Sequence, residues 1–358
     1  MSCGEKTKAL IWLSMSESLT PRGRRLLLEE YGCPERALRE FGHSARTLTG
    51  DKAFRELDAA SGTLDAAVSR METLSIRALT PEDAGFPAAL RRIPDAPELL
   101  YIRGDYLPRP SVAIVGSRRD TRYGREMARR IARDLAEAGV TVVSGLARGI
   151  DTAAHQGAVQ AGGVSVGVLG CGLDSIYPKE NTELAGSMLR CGGCVISEYP
   201  AAAQPLPYHF PHRNRLISGL ADGVLLIEAT LRSGTQSTVN HALEQGKTVF
   251  ALPGNVDAPG SELPLRLLKE GAELCTCASD IITHLGLNAA VQPEEKAAPP
   301  AKSDDPVLNA LEREEKTFEE LLEETGVPAP SLTARLSLME LEGLIERRPG
   351  RAYAMVRK

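Results

Sequence analysis

No stretch of this sequence approaches the ~18 consecutive apolar residues of a membrane span, so no transmembrane helix is expected. The first residues, Met1-Ser-Cys-Gly-Glu-Lys6, hold neither an apolar core nor a small-residue cleavage site, so a cytoplasmic location is expected rather than secretion. Cysteine is sparse and odd in number: seven in 358 residues suits a reducing compartment better than a disulfide framework. Positive charge is not in excess either. Forty-two Lys and Arg against forty-seven Asp and Glu leave a net charge of −5, so nucleic-acid binding would have to rest on local charge.

Catalytic and metal signatures are also missing. No His, Asp and Glu cluster has metal-ligand spacing, and Cys191-Gly-Gly-Cys194 with Cys275-Thr-Cys277 is too irregular for a zinc site. No carboxylate pair stands out as acid and base. Gly163-Val-Ser165-Val-Gly167 matches a nucleophile elbow in letters, but it lies inside an apolar strand instead of at a strand-to-helix turn. No metal, cofactor or catalytic residue is expected.

What is present is an ordinary globular composition, 42% hydrophobic and 25% charged, over a length that fits two or three domains. Residues 1–65 show apolar residues at helical spacing, as in Leu10-Ile-Trp-Leu13 and Leu26-Leu-Leu28, broken at Gly32-Cys-Pro34. Residues 66–287 enter through a Pro-containing stretch and continue as alternating strand and helix signals. Residues 288–304 have almost no large apolar side chain and read as a flexible linker. Residues 305–358 form a compact tail.

The middle region has the rhythm of a doubly wound α/β sheet. Its β-branched runs are Val112–Val115, Val140–Val143, Val164–Leu169, Cys194–Ile196, Val224–Ile227 and Val249–Leu252. Helix-length segments at 123–138, 148–161, 179–190 and 236–246 separate most of them. Strands apolar throughout belong to a parallel sheet covered on both faces, and ligands on such sheets bind outside the carboxyl ends of the strands.

Those ends carry the chemistry. The first strand runs into Gly116-Ser117-Arg118-Arg119, ahead of a helix whose N–H groups and dipole favour an anion. The spacing is not Gly-x-Gly-x-x-Gly, and arginines stand where a dinucleotide site places small residues. Residues 118–133 hold seven arginines against Asp120 and Glu126. Arg122, Arg125 or Arg129, and Arg133 fall at steps that can line one helix face, a row suited to a polymer of phosphates. The second strand ends in Ser144-Gly145, followed by Asp151 as a plausible helix N-cap and by His155, a packed histidine. Phe210 stands beside Arg213, Asn214 and Arg215, just before the next helix. An aromatic interleaved with phosphate-binding arginine is the usual platform for single strands. Ser233-Gly234-Thr235 opens a further helix as a backbone-and-hydroxyl cradle.

In their order these residues resemble the DNA-processing protein A family (DprA, also called Smf). The resemblance is densest over 110–285, from Val112-Ala-Ile-Val-Gly-Ser-Arg118 through Ser144–Asp151, Gly172–Pro178, Phe210–Arg215 and Ser233–Thr235 to Val249–Gly254. It implies an extended Rossmann-like domain between an N-terminal helical, SAM- or helix-hairpin-helix-like domain and a C-terminal winged helix. It also implies a cytoplasmic, homodimeric single-stranded DNA binder. Such a protein protects incoming DNA in natural transformation, loads the RecA recombinase and has no established catalytic reaction. Carried over, the DNA site comprises Gly116, Ser117, Arg118, Arg119, Ser144, Gly145, Phe210, Arg213, Asn214, Arg215, Ser233, Gly234 and Thr235. The chain departs from the family at Gln236-Ser237 and at Leu263-Pro-Leu265. In the tail, Ser331 is expected to cap a second helix, and Arg347, Arg348 and Arg351 sit in a β wing. The competing reading is a nucleotide phosphoribohydrolase of the lysine-decarboxylase-like group. Its catalytic glutamate position is occupied here by Thr238.

Overall fold

The computed structural model describes residues 4–287, 305–311, 316–341, 344–348 and 352–355. The linker expected at 288–304 lies outside the described residues. The chain divides into two compact units, Met1–Val291 and Gln292–Lys358.

In the first unit the N-terminal helices are α1 (Glu5–Ser14), α2 (Pro21–Tyr31), α3 (Pro34–Glu40), α4 (Arg46–Thr49) and α5 (Asp51–Thr73). Helix α5 runs through residue 65, so the composition change there falls inside an element. The strands follow: β1 (Ile76–Leu79), β2 (Leu100–Gly104), β3 (Ser111–Val115), β4 (Thr141–Ser144), β5 (Ser165–Leu169), β6 (Cys194–Ser197), β7 (Gly223–Leu226), β8 (Thr248–Ala251) and β9 (Glu273–Leu274). Their order across the sheet is β1-β2-β6-β5-β4-β3-β7-β8-β9. From β6 to β9 every neighbour is parallel, whereas β1 and β2 are antiparallel additions at one edge.

Helices α6 (Arg122–Glu137), α7 (Ile150–Gln160), α8 (Thr182–Arg190), α9 (His209–Leu220), α10 (Thr235–Glu244), α11 (Glu262–Lys269) and α12 (Ala278–His284) cover both faces. The strand period of two sends Ala113 and Val115 to one face and Val112 and Ile114 to the other. The first face packs on Leu216, Ile217 and Leu220 of α9, Val239 of α10 and Leu263 of α11. The second packs on Ala128, Ile131 and Leu135 of α6, Ala154 of α7 and Ile281 of α12. The N-terminal helices share a core with the sheet, in which Trp12, Leu57 and Leu64 meet Tyr101, Leu169 and Val195. The Trp12 indole N–H donates to Leu57 O at 2.8 Å, so the one tryptophan is buried without an orphan donor.

The second unit is a winged helix. It contains α13 (Pro306–Leu311), β10 (Lys316–Thr317), α14 (Phe318–Thr325), α15 (Ala329–Leu341), β11 (Ile345–Arg348) and β12 (Ala352–Met355). Its strands run in the order β10-β12-β11. Val307, Leu321, Leu332, Leu336 and Ile345 form its core. Thr317 and Glu320 close a capping box at α14. Helix α15 begins at Ala329, so Ser331 lies within it and is not its N-cap. Arg351 and the side chains of Arg347 and Arg348 lie outside the described residues. Among the described residues no helix is long and apolar enough to cross a membrane.

Candidate nucleic-acid interface

Strand β3 leads on to β4, β5 and β6 on one side and has β7 on the other, so the strand order reverses between β3 and β7. A crevice forms at such a switch point. Here it is a cleft of about 870 Å³, walled by Gly116–Arg119 after β3, Glu228–Thr230 after β7, the start of α10 and one face of α9.

Phe210, Arg213, Asn214 and Ile217 all line this cleft from α9, which starts at His209. Their spacing of three, four and seven puts them on one helical face. The expected turn before a helix is therefore the helix itself. This explains why Arg215 is not in the cleft: two residues after Arg213, it points ~200° around the axis. It is buried on the far side, with its Nε 3.0 Å from Asp95 and its Nη2 2.7 Å from Glu198. Arg215 is a structural ion-pair residue here and does not line the cleft, contrary to expectation.

Arg213 is also buried, but in the cleft floor. Its Nη1 donates to Gly145 O at 2.9 Å and to Val168 O, tying α9 to the ends of β4 and β5. Burial lowers its pKa to about 10 against the pull of Asp151, and the nearby Arg118 charge lowers it further. Two like charges converging on one space favour an anion between them. Asp151 does not cap α7, whose N-cap is Gly149. Its carboxylate accepts the Gly145 N–H at 3.1 Å and the Ala147 N–H at 3.4 Å, bracing that turn. Burial raises its pKa to about 6, opposed by Arg213.

Arg118 is exposed at the mouth and lies over the Phe210 ring, 5.0 Å from its centroid. The Tyr177 ring stands 5.8 Å from the same phenyl, and Phe210 is half-buried. Among the described residues neither Arg118 nor neighbouring Arg119 forms an ion pair, and the Arg118 N–H has no protein acceptor. The other arginines of the run behave differently. Arg122 pairs with Glu126 at 2.9 Å, Arg125 with Asp120 at 2.6 Å and Arg133 with Asp134 at 2.9 Å, while Arg129 donates to Gln156 at 3.0 Å. None of these four lines the cleft, nor does Arg130, which donates to Thr276 O at 3.4 Å, so the row expected along α6 is not gathered there; of the seven arginines, the two that do line it, Arg118 and Arg119, precede the helix.

The N-terminus of α6 is occupied from within. Glu228, buried just after β7, accepts the Thr121 N–H at 2.6 Å and its hydroxyl at 2.8 Å. Thr121 in turn caps the helix through Gly124 N. The anion expected at that dipole is therefore the protein's own carboxylate. Nothing in the local sequence announces a contact across 107 residues. The preceding turn is the one that lines the cleft. Ser117 N donates to Glu228 O and Ser117 O accepts from Ile150 N, which clamps the turn between β7 and α7. Two glycines permit this closeness. A Cβ on Gly116 would stand 2.7 Å from Ile150, and one on Gly149, at φ +78°, would stand 2.3 Å from Ser117 O.

Ser233, Gly234 and Thr235 line the opposite lip. The Thr235 hydroxyl donates to Gly116 O at 3.0 Å, and Asn214 Nδ2 donates to Ser237 at 2.7 Å, so β3, α9 and α10 are laced together. Ser144 and Gly145 lie below the surface: Ser144 Oγ donates to Ile114 O at 2.7 Å, and Gly145 packs under Arg213. They support the floor and do not line it. Of the thirteen residues expected, the structure gathers ten around the cleft and leaves out Ser144, Gly145 and Arg215.

His155 is fully buried with Nδ1 2.7 Å from Ser165 Oγ, and burial lowers its pKa to about 3. This histidine–serine pair is sealed in the core, in keeping with the packing role expected of His155. Among the described residues no group of His, Cys, Asp and Glu is placed to hold a metal.

The family model for DNA recombination-mediator protein A matches residues 77–286, and that for the DprA winged helix domain matches 291–351. Protein Smf of Escherichia coli strain K12 is 43% identical over 291 residues, which cover 78% of each chain. DNA processing protein DprA of Streptococcus pneumoniae is 44% identical over 202 residues, 56% of this chain and 71% of that one. The X-ray structure of DprA from S. pneumoniae superposes with a TM-score of 0.63 at 35% identity, covering 77% of this chain and 97% of that chain. DNA processing protein A of Helicobacter pylori, described for its single-stranded DNA binding mode, superposes with a TM-score of 0.52 at 32% identity, over 58% and 95% of the two chains.

Proposed function

The chain belongs to the DNA recombination-mediator protein A family, and we propose on that premise that its switch-point cleft binds single-stranded DNA. One observation carries the reading: Phe210, Arg213 and Asn214 share a face of α9 opposite unpaired Arg118 and Arg119. Phosphates would lie along Arg118, Arg119 and the Gly116–Arg119 turn. A base would stack on the Phe210 face that the Arg118 guanidinium covers in the free protein, with Arg118 swinging out to a phosphate. A duplex keeps its bases stacked on each other and cannot offer one to Phe210, so single strands are favoured.

The wider role is protection of incoming DNA in natural transformation and loading of RecA recombinase by a homodimer in the cytoplasm. The likeness to DprA and Smf proteins supports this reading. The chain acts as a binder and not as an enzyme. Thr238, buried against the cleft, stands where the phosphoribohydrolase pattern has its catalytic glutamate. Gel shift with single- and double-stranded oligonucleotides, beside a nucleoside-monophosphate hydrolysis assay, tests the choice. Single-strand shifts without hydrolysis are expected, and hydrolysis without a shift reverses the assignment. Recombinase filament assembly on single strands, with and without the protein, tests the loading role.

A further inference from the structure

A second aromatic ring lines the cleft beside Phe210. Tyr177 comes from the loop after β5, whose carboxyl end lies two strands along the sheet from that of β3. The loop is held in place. Ile176, the residue before it, is buried in the core that the N-terminal helices share with the sheet. Gly172 N donates to Ala203 O and Asp174 N to Ala201 O, each at 2.8 Å, which clamps the loop to the segment after β6. A Cβ on Gly172 would stand 2.1 Å from Ala201 O, so this approach requires glycine.

The ring itself is left out of the packing. Tyr177 is 44% exposed and belongs to none of the apolar clusters among the described residues. Its hydroxyl has no hydrogen-bond partner among them either. Tyrosines that hold structure here do use theirs: Tyr101 Oη lies 2.7 Å from Ser14 Oγ, and the Tyr123 hydroxyl donates to Pro253 O at 3.1 Å. The Tyr177 ring touches Phe210, at 5.8 Å between centroids and 42° between planes. A base sandwiched between two rings needs about 7 Å, twice a ~3.5 Å contact, with all three planes parallel. These rings are too close and too tilted to share one base, so each offers a face of its own.

We propose that Tyr177 is a second stacking residue and that the cleft takes two adjacent bases of one strand, one on Phe210 and the next on Tyr177. The inference rests on the single-strand reading of the cleft. A fixed backbone carrying an exposed ring loses little conformational freedom when a base settles on it. Stacking is blind to base identity, so the second ring adds affinity without adding sequence preference.

The test uses the full chain, oligo(dT), and tracts of abasic nucleotides that are plain or carry one thymine or two adjacent thymines. In the wild type the second thymine is expected to tighten binding by at least about fivefold, the lower end for one stacked base. Tyr177→Ala should keep the gain from the first thymine and lose that from the second, beyond what an extra binding register gives. Its affinity for the plain abasic tract should equal the wild type's, because no base is there to stack. Tyr177→Phe should match the wild type on every tract, since the hydroxyl has no partner to lose. A wild type that gains nothing from the second thymine overturns the inference and leaves the single-strand reading intact. A second-thymine gain that survives in Tyr177→Ala, or is lost in Tyr177→Phe, overturns the stacking role of Tyr177. Weaker binding of the plain abasic tract by Tyr177→Ala makes the ring a support of the cleft and overturns it as well. Failure of the wild type to bind oligo(dT) removes the single-strand reading itself.

Discussion

Replacing Phe210 with alanine separates ligand contact from core packing at one position. The ring is half-buried, sits under the Arg118 guanidinium at 5.0 Å and beside Tyr177 at 5.8 Å, and is absent from the fully buried core. Loss of one stacked base costs ~1–3 kcal/mol of DNA affinity, roughly five- to a hundredfold. Full burial of a large apolar side chain is worth ~1.5–3 kcal/mol, so a half-buried ring gives up about 1 kcal/mol of stability. An exposed cation–π contact adds ~0.5–1 kcal/mol to that loss. A core phenylalanine would instead cost ~3–5 kcal/mol. Thermal unfolding and fluorescence-anisotropy titration with a short single strand, on the same preparation, read both quantities. A large loss of affinity with a small fall in Tm is expected. A large fall in Tm, with affinity intact in the folded fraction, refutes the assignment of Phe210 to the ligand.

Arg118→Ala should lower single-strand affinity by ~1.5–3 kcal/mol, the worth of a charge-assisted contact, and leave the circular dichroism spectrum unchanged because the side chain is exposed. Gly149→Ala should destabilise by at least ~2–3 kcal/mol in chemical denaturation, since φ is +78° and the added Cβ meets Ser117 O. Acid should weaken the fold through His155. The unfolded chain takes up a proton near pH 6.5 and the native imidazole only near 3, so stability falls with pH across that window by up to ~1.4 kcal/mol per unit. Asp151, raised to about 6, acts in the opposite sense, adding stability as pH falls through about 6 toward its unfolded value of 3.8. His155→Gln removes the first effect, so its stability relative to the wild type should improve steadily as pH is lowered from 6.5 to about 4.

The inner sheet was legible in the sequence because parallel strands covered on both faces must be apolar at every position. All six runs appear as β3 to β8 within a residue or two. The edge strands were not legible. Ile76–Leu79 is interrupted by Arg77, and Leu99-Leu-Tyr-Ile102, although apolar throughout, follows the Pro-containing stretch with no helix signal before it. Helix α9 was hidden by Pro211, which reads as a turn although proline is tolerated in a first helical turn. With α9 mistaken for a turn, Arg213 and Arg215 looked equivalent, and helical geometry separates them. The arginine run was overvalued for a simpler reason. Glu126, four residues after Arg122, and Asp120, five before Arg125, were visible partners. The Glu228–Thr121 contact had no local signature at all.

Competition between single and double strands of one sequence, titrated with salt, tests whether the cleft is a single-strand site. Two free arginines and a backbone cradle at the mouth of the cleft should release several counterions, so the logarithm of affinity should fall linearly with the logarithm of salt concentration. Single strands should win at every salt concentration, and the slope should become shallower by about one in Arg118→Ala. Equal affinity for the two forms, or a slope that Arg118→Ala leaves unchanged, contradicts a single-strand site built on this cleft.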